Sequence, residues 1–438
     1  MTPSPLTRLT TPEAVRDMLR QRQEIALIDL REEDAFARGH PLFAAQLPLR
    51  RLADDAPWRL PRRGVPVVLM DDGEGLVEPA AQWLQAAGWT NVSVLEGGLH
   101  GWRRSGGELF IDVNVPSKAF GELVEHERGT PSLPAPEVKA LLDSGADVVV
   151  LDARRFDEYQ TMSIPRGVSV PGGELLLRAR SLAPDPRTHI IVNCAGRTRS
   201  LIGAQTLVNA GLPNPVHALR NGTIGWLLAG QTLQHGAQRR FGSVDATQAA
   251  VARSAAQALA AHAGAQRIDA ATLASWLADA TRTLYRWDVR TPEEYAAGHR
   301  PGFGSAPGGQ LVQETDVFAA VRGARIVLSD DDGVRASVTA HWLAQMGWEV
   351  AWLDDTRGLT ETGPWQPVAP GGQPWPGPRT HRYQRPYEGT DAPRAAMQAY
   401  LDWEFGLVAQ LARDGTHGFA VLCPPDAQAV AGTSSSLG

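Results

Sequence analysis

Cys194-Ala195-Gly196-Arg197-Thr198-Arg199-Ser200 is the segment best equipped for chemistry. A cysteine there follows the apolar run Ile190-Ile191-Val192-Asn193 and precedes a helical pattern. In such a strand-to-helix loop, successive backbone N–H groups converge on one point, and the helix N-terminus adds its positive end. Arg197 and Arg199 add two positive charges. All three effects favour the thiolate, so the Cys194 pKa is expected to fall. The same cradle would hold an oxyanion. The segment therefore reads as an activated sulfur nucleophile in an anion pocket. An inert buried thiol is the commoner fate of a lone cysteine, but a glycine and two arginines within five residues argue otherwise. Cys423, in Phe419-Ala420-Val421-Leu422-Cys423-Pro424, has no such surroundings and reads as structural or simply exposed.

The elements that would position Cys194 occur three times. Ala26 to Arg31, Val149 to Arg154 and Tyr285 to Arg290 each end an apolar run with Asp and Arg two residues apart. A second apolar run follows each, ending at Asp71, Cys194 and Asp330, in every case 42 residues after the first aspartate (Asp29, Asp152, Asp288). Helical patterns then run from Ala80 to Ala87, Ala204 to Ala210 and Ala340 to Met346, each stopped by a glycine (Gly88, Gly211, Gly347). Another strand follows, as in Val92 to Leu95. The repeat thus predicts an α/β fold of three tandem modules, each a parallel sheet flanked by helices. Functional residues of such sheets sit at the carboxyl ends of strands, where Cys194 lies. Asp152 and Arg154 are expected to be an ion pair supporting the loops rather than catalytic groups.

The boundaries follow from the spacing. Residues 1–106 form a module with Asp71 at the cysteine position, and 107–131 a linker without strong periodicity. Residues 132–233 form the module of Cys194, and 234–265 an Ala-rich linker with a helix over Ala249 to Ala261. Residues 266–361 form a module with Asp330 at the cysteine position. Residues 362–438 comprise a Pro/Gly-rich segment, a helical extension over Ala392 to Arg413 and a Ser/Gly-rich tail from Thr433 that is expected to lack fixed structure. The chain has 438 residues, 42 basic and 48 acidic, for a net charge of −6. That balance argues against a nucleic-acid binder. Two distant cysteines do not make a disulfide framework or a cysteine zinc site. With no apolar stretch of membrane-spanning length and no leader-like N-terminus, the expected location is cytoplasmic, without membrane partners.

The second module resembles the rhodanese domain. Cys194 to Arg199 is similar to that family's six-residue active-site loop, and Asp152 with Arg154 to its early Asp-x-Arg signature. Asn221-Gly222-Thr223-Ile224-Gly225-Trp226 is similar to its late Gly-rich turn, and Glu96 to Trp102 stands there in the first module. The resemblance implies sulfur transfer without cofactor or metal. Cys194 would take the outer sulfur of thiosulfate or a similar small anionic donor as a persulfide. It would pass that sulfur to a thiol, cyanide or protein acceptor with ping-pong kinetics. Ala195, Gly196, Arg197, Thr198 and Arg199 would bind the donor. Rhodanese-like phosphatases and arsenate reductases have a loop one residue longer, and Ser200 stands where their arginine would be, so that reading is disfavoured. A persulfide carrier or a non-catalytic docking scaffold remains open. An aspartate cannot carry a persulfide, so the first and third modules read as inactive. Ser163-Ile164-Pro165-Arg166 departs from the family's His-Ile-Pro-Gly, whose histidine position is held by His40 and His299 in the other modules.

Overall fold

A computed structural model of the protein describes residues 8–355, 357–366, 383–385 and 393–423. Most of the Pro/Gly-rich segment and the tail from Thr433 lie outside the described residues. The chain folds into three five-stranded parallel sheets of one topology. The first contains β1 (Leu9–Thr10), β2 (Ala26–Asp29), β3 (Ala45–Gln46), β4 (Val67–Met70) and β5 (Val92–Leu95), in the order β1-β5-β4-β2-β3. The second contains β6 (Ser132–Leu133), β7 (Val148–Asp152), β8 (Val168–Ser169), β9 (His189–Asn193) and β10 (Val216–Leu219), in the order β6-β10-β9-β7-β8. The third contains β11 (Gln266–Ile268), β12 (Leu284–Asp288), β13 (Gly304–Ser305), β14 (Arg325–Ser329) and β15 (Glu349–Leu353), in the order β11-β15-β14-β12-β13. The central strands carry buried apolar residues between their ends, as strands covered by helices on both faces must.

This order places a switch point between β7 and β9. The chain leaves β7 for β8 on one side and returns to β9 on the other. Asp152 pairs in register with Asn193, so the Asp-x-Arg end of β7 and the residue before Cys194 sit side by side. Crevices at such switch points are the usual ligand sites of open α/β sheets. The same pairing joins Asp29 to Met70 and Asp288 to Ser329. The repeated 42-residue spacing is thus the sequence image of one register.

The modules share a continuous apolar core. Glu24 of the first module accepts hydrogen bonds from Arg62, Arg282 and the backbone of Thr283, tying modules one and three together. Between modules two and three, Gly172 and Gly173 lie against Gly308 and Gly309. A Cβ on Gly173 would fall 3.3 Å from the Cα of Gly308. Only glycines allow backbones to approach so closely.

The segment expected to be a linker without periodicity contains a 14-residue helix, Val115–Arg128. Val115 to Val124 are all buried, between neighbours on several sides. A helix covered all round shows no amphipathic stripe, so the pattern gave no signal. The Ala-rich segment forms the helix Ala246–His262, capped by Asp245. The C-terminal extension is two helices, Arg394–Phe405 and Leu407–Asp414, the second ending at Gly415 with φ of 64°. No helix among the described residues is long and apolar enough to cross a membrane.

Candidate active site

Cys194 follows β9, and its loop leads into the helix Thr198–Asn209. The first-turn N–H groups of that helix have no acceptor within it. The loop's shape is held from the late Gly-rich turn. Thr223 N–H donates to Cys194 O at 2.9 Å, and Ile224 N–H to Ala195 O at 3.0 Å. The Thr223 hydroxyl also donates to Ala195 O at 3.1 Å. These bonds turn the two carbonyls toward the Gly-rich turn and fix the loop against it. Gly222 makes the approach feasible: its φ is +54°, and a Cβ there would fall 2.3 Å from Cys194 O. The first module repeats the device with Gly98, also at φ +54°, beside Asp71 O.

Asp152 and Arg154 form the expected support. Arg154 donates to both carboxylate oxygens of Asp152, at 2.9 and 2.7 Å, and to Met162 O at 2.6 Å. Asn193 adds a bond to Asp152 at 2.8 Å. Asp29 with Arg31, and Asp288 with Arg290, reproduce the pair. Ser163 replaces the histidine of the other modules without loss of backbone pairing: its N–H donates to Gln234 O at 2.7 Å.

The electrostatics depart from the sequence reading in two respects. Cys194 is 2% exposed, and burial pushes its thiol up from the usual value. Arg199 and the hydrogen bonds of Ser200 act in the opposite sense and do not outweigh it. The expected fall in pKa is therefore reversed, because desolvation of the thiolate exceeds what the loop returns. The thiol donates to Ser200 Oγ at 3.4 Å, and that hydroxyl donates to Arg197 O at 2.8 Å.

The second departure concerns the arginines. Arg197 is turned away to the helix Val115–Arg128. It donates to both oxygens of Glu122, at 2.7 and 2.9 Å, and also bonds Glu125 and Asn221. Its guanidinium stacks over Phe405 at 4.1 Å. Rather than standing open for an anion, Arg197 bridges the loop to two neighbouring helices. Arg199 stays near the thiol but is matched by Glu158, at 2.8 and 2.9 Å. Burial raises Glu158, yet the charge and hydrogen bonds of Arg199 prevail and hold it down at about 2.

Sequence reasoning missed the residues that roof the loop. Tyr400 and Glu404, on Arg394–Phe405, lie over Gly196: a Cβ there would meet Glu404 Oε2 at 3.2 Å and Tyr400 at 3.4 Å. Lys118 is buried beside them, bonded to Asp112 at 2.8 Å and lying over the rings of Tyr400 and Trp403. Gly121 lets the helix Val115–Arg128 pass against Thr198, with a Cβ placed 2.9 Å from that side chain. The one signal available was a lysine in a chain with only two, Lys118 and Lys139.

The other two cradles are filled by their own side chains. Asp71 accepts from Gly73 N–H at 3.1 Å and Leu76 N–H at 2.7 Å. Asp330 accepts from Gly333 N–H and Ala336 N–H, both at 2.9 Å. The carboxylate occupies the place an anionic ligand would take. Arg335, the counterpart of Arg199, is buried and bonded to Glu174 of the second module at 2.8 Å and to Asp331 at 2.6 Å. Cys423 is exposed and belongs to no such cradle; Arg128 approaches its sulfur at 2.7 Å.

The model of the rhodanese-like domain matches residues 11–105 and 134–229. The third sheet repeats their strand order. A crystal structure of a thiosulfate sulfurtransferase from Pseudomonas aeruginosa is 50% identical, covers 95% of this chain and 100% of that one, and superposes with a TM-score of 0.92. An uncharacterized protein of Synechocystis is 35% identical over 117 residues, which is 26% of this chain and 64% of that protein. A Mycobacterium tuberculosis protein, named provisionally as a thiosulfate sulfurtransferase, is 30% identical over 125 residues, 26% of this chain and 43% of its own length. This chain thus spans less than two thirds of both curated relatives.

Proposed function

The chain belongs to the rhodanese-like family, and on that premise we propose that it is a sulfurtransferase that works through a persulfide on Cys194. The observation that carries the reading is the pinned loop: Cys194 stands at the switch point of the one cradle of three that is not filled by its own aspartate. The Cys194 thiolate attacks the outer sulfur of a donor such as thiosulfate. The Sγ–S bond forms, the donor's S–S bond breaks, and sulfite leaves with the electron pair. The loop amides and the helix N-terminus stabilise the anionic persulfide. An acceptor nucleophile, cyanide in an assay or a thiol, then attacks the outer sulfur and restores the Cys194 thiolate. Asp152 and Arg154 hold the strand ends, and Arg199 supplies positive potential near the sulfur.

The roles of Ala195, Gly196, Thr198 and Arg199 in binding the donor belong to this proposal, and Arg197 enters it as a brace. The assay is thiocyanate formation from thiosulfate and cyanide, with p-nitrophenyl phosphate hydrolysis in parallel. The wild type is expected to form thiocyanate and to gain the mass of one sulfur at Cys194 with thiosulfate alone. Cys194→Ala is expected to do neither. Phosphate release in place of thiocyanate would refute the reading.

A further inference from the structure

Glu404 comes from outside all three sheets and ends at the catalytic loop. It is 1% exposed. Its Oε1 accepts the Tyr400 hydroxyl at 3.1 Å. Among the described residues its Oε2 has no hydrogen-bond partner, and it faces the backbone of Gly196, two residues from Cys194. A buried carboxyl oxygen left without a partner is costly, and the loop it faces is the one shaped to hold an anion. A carboxylate would repel such an anion, whereas a carboxylic acid would donate a hydrogen bond to it.

The cations around Glu404 are each committed to another carboxylate. Lys118 is bonded to Asp112, Arg197 to Glu122 and Glu125, and Arg199 to Glu158. Arg385 also lies near Asp112, at 3.6 Å. The lysine and the two loop arginines each have a carboxylate already, so a hydrogen bond from Glu404 would add to what the loop amides offer an arriving dianion.

We propose that Glu404, in its acid form, donates the hydrogen bond that receives the anionic end of the sulfur donor at the Cys194 loop, so that the donor binds together with a proton. This rests on the sulfurtransferase reading for the identity of the ligand. The proton stays on Glu404 while sulfur moves to Cys194 and sulfite departs. Burial pushes Glu404 up to about 8, against the opposing effects of Lys118, Arg197 and the Tyr400 hydroxyl, while Glu122 adds to the rise. The acid form is therefore the resting form at neutral pH. Affinity for the donor is level below about pH 8 and falls about tenfold per pH unit above it.

The test is calorimetric titration of thiosulfate into full-length Cys194→Ser, which binds without turning over. It is run at about pH 6.5 and about pH 9 in buffers of different ionisation enthalpy. Expected are almost no proton uptake at the lower pH and close to one proton per thiosulfate at the higher. On the same background Glu404→Gln keeps a donor that does not titrate, and is expected to abolish the uptake and flatten the pH dependence of affinity. Tyr400→Phe leaves Glu404 in place and removes a bond that lowers its pKa, so the fall in affinity should begin at higher pH. Uptake unchanged by Glu404→Gln, or no thiosulfate binding at all, would overturn the proposal. Wild-type thiocyanate formation separates the two readings. If it is absent while proton-linked binding persists, the sulfurtransferase reading fails and the role of Glu404 stands. If it is present with binding indifferent to Glu404, the reverse holds.

Discussion

Gly222→Ala should disable the site through backbone geometry alone. The new Cβ would lie 2.3 Å from Cys194 O and 2.7 Å from Gly196 O, where about 3.0 Å is the practical limit, so the backbone must yield by roughly 0.7 Å. An alanine at φ +54° adds about 1–2 kcal/mol of left-handed strain. Relief requires separating the Gly-rich turn from the loop, which loosens Thr223 N–H to Cys194 O and Ile224 N–H to Ala195 O. At about 0.5–1.5 kcal/mol each, the total destabilisation is about 2–5 kcal/mol. A displacement approaching 1 Å at the nucleophile costs about 100-fold in rate. The assay is thiocyanate formation at a temperature where thermal melting shows the variant folded. Gly98→Ala is the control, since its φ is the same and its Cβ would fall 2.7 Å from Asp71 O, but an aspartate stands where the second module has Cys194. A comparable loss of stability with activity retained is expected. Full activity in Gly222→Ala, or equal loss of activity in both variants, would refute the argument that the turn shapes the catalytic loop.

Two further outcomes follow from the same geometry. Glu158 is held at about 2 by Arg199, against an ordinary value of 4.5. A lowered carboxylate pKa contributes stability that is complete above the unfolded value and is lost as pH falls through the folded one. The Glu158 carboxylate, held by Arg199 with Arg154 and Arg155 beside it, should therefore contribute on the order of 3 kcal/mol above about pH 4.5, disappearing toward pH 2. Glu158→Gln should flatten that part of the acid-denaturation curve, and an unchanged curve would refute the pairing. Alkylation followed by mass analysis should label exposed Cys423 rapidly at neutral pH and buried Cys194 slowly, with the Cys194 rate rising as pH rises. Cys194 reacting first at neutral pH would refute its burial as the control on its reactivity.

Much of this protein is written locally. Parallel strands covered on both faces must be apolar throughout, so Val148–Asp152, His189–Asn193 and their counterparts were legible as short runs. The shared register of Asp152 and Asn193 forces the constant 42-residue spacing. Cys194, Gly222 and the Asp152–Arg154 pair follow from rules that act within a few residues: a loop entering a helix, a left-handed turn, a strand-end ion pair. The aspartates that fill the first and third cradles were legible for the same reason.

The tertiary structure decided the electrical state of the site. Arg197 and Arg199 read as open charges because nothing nearby in sequence marks Glu122, Glu125 or Glu158 as their partners. The helix Val115–Arg128 carries two of those carboxylates and shows no period because its first ten residues are all buried. The helix Arg394–Phe405 showed its period but not its destination. Only packing brings Glu404 over Gly196 and removes Cys194 from water. Sequence singled out the proposed nucleophile, because that choice rests on residue type and local backbone. Its protonation depends on desolvation and charge summed over every segment that surrounds it, and those segments meet only in the folded chain.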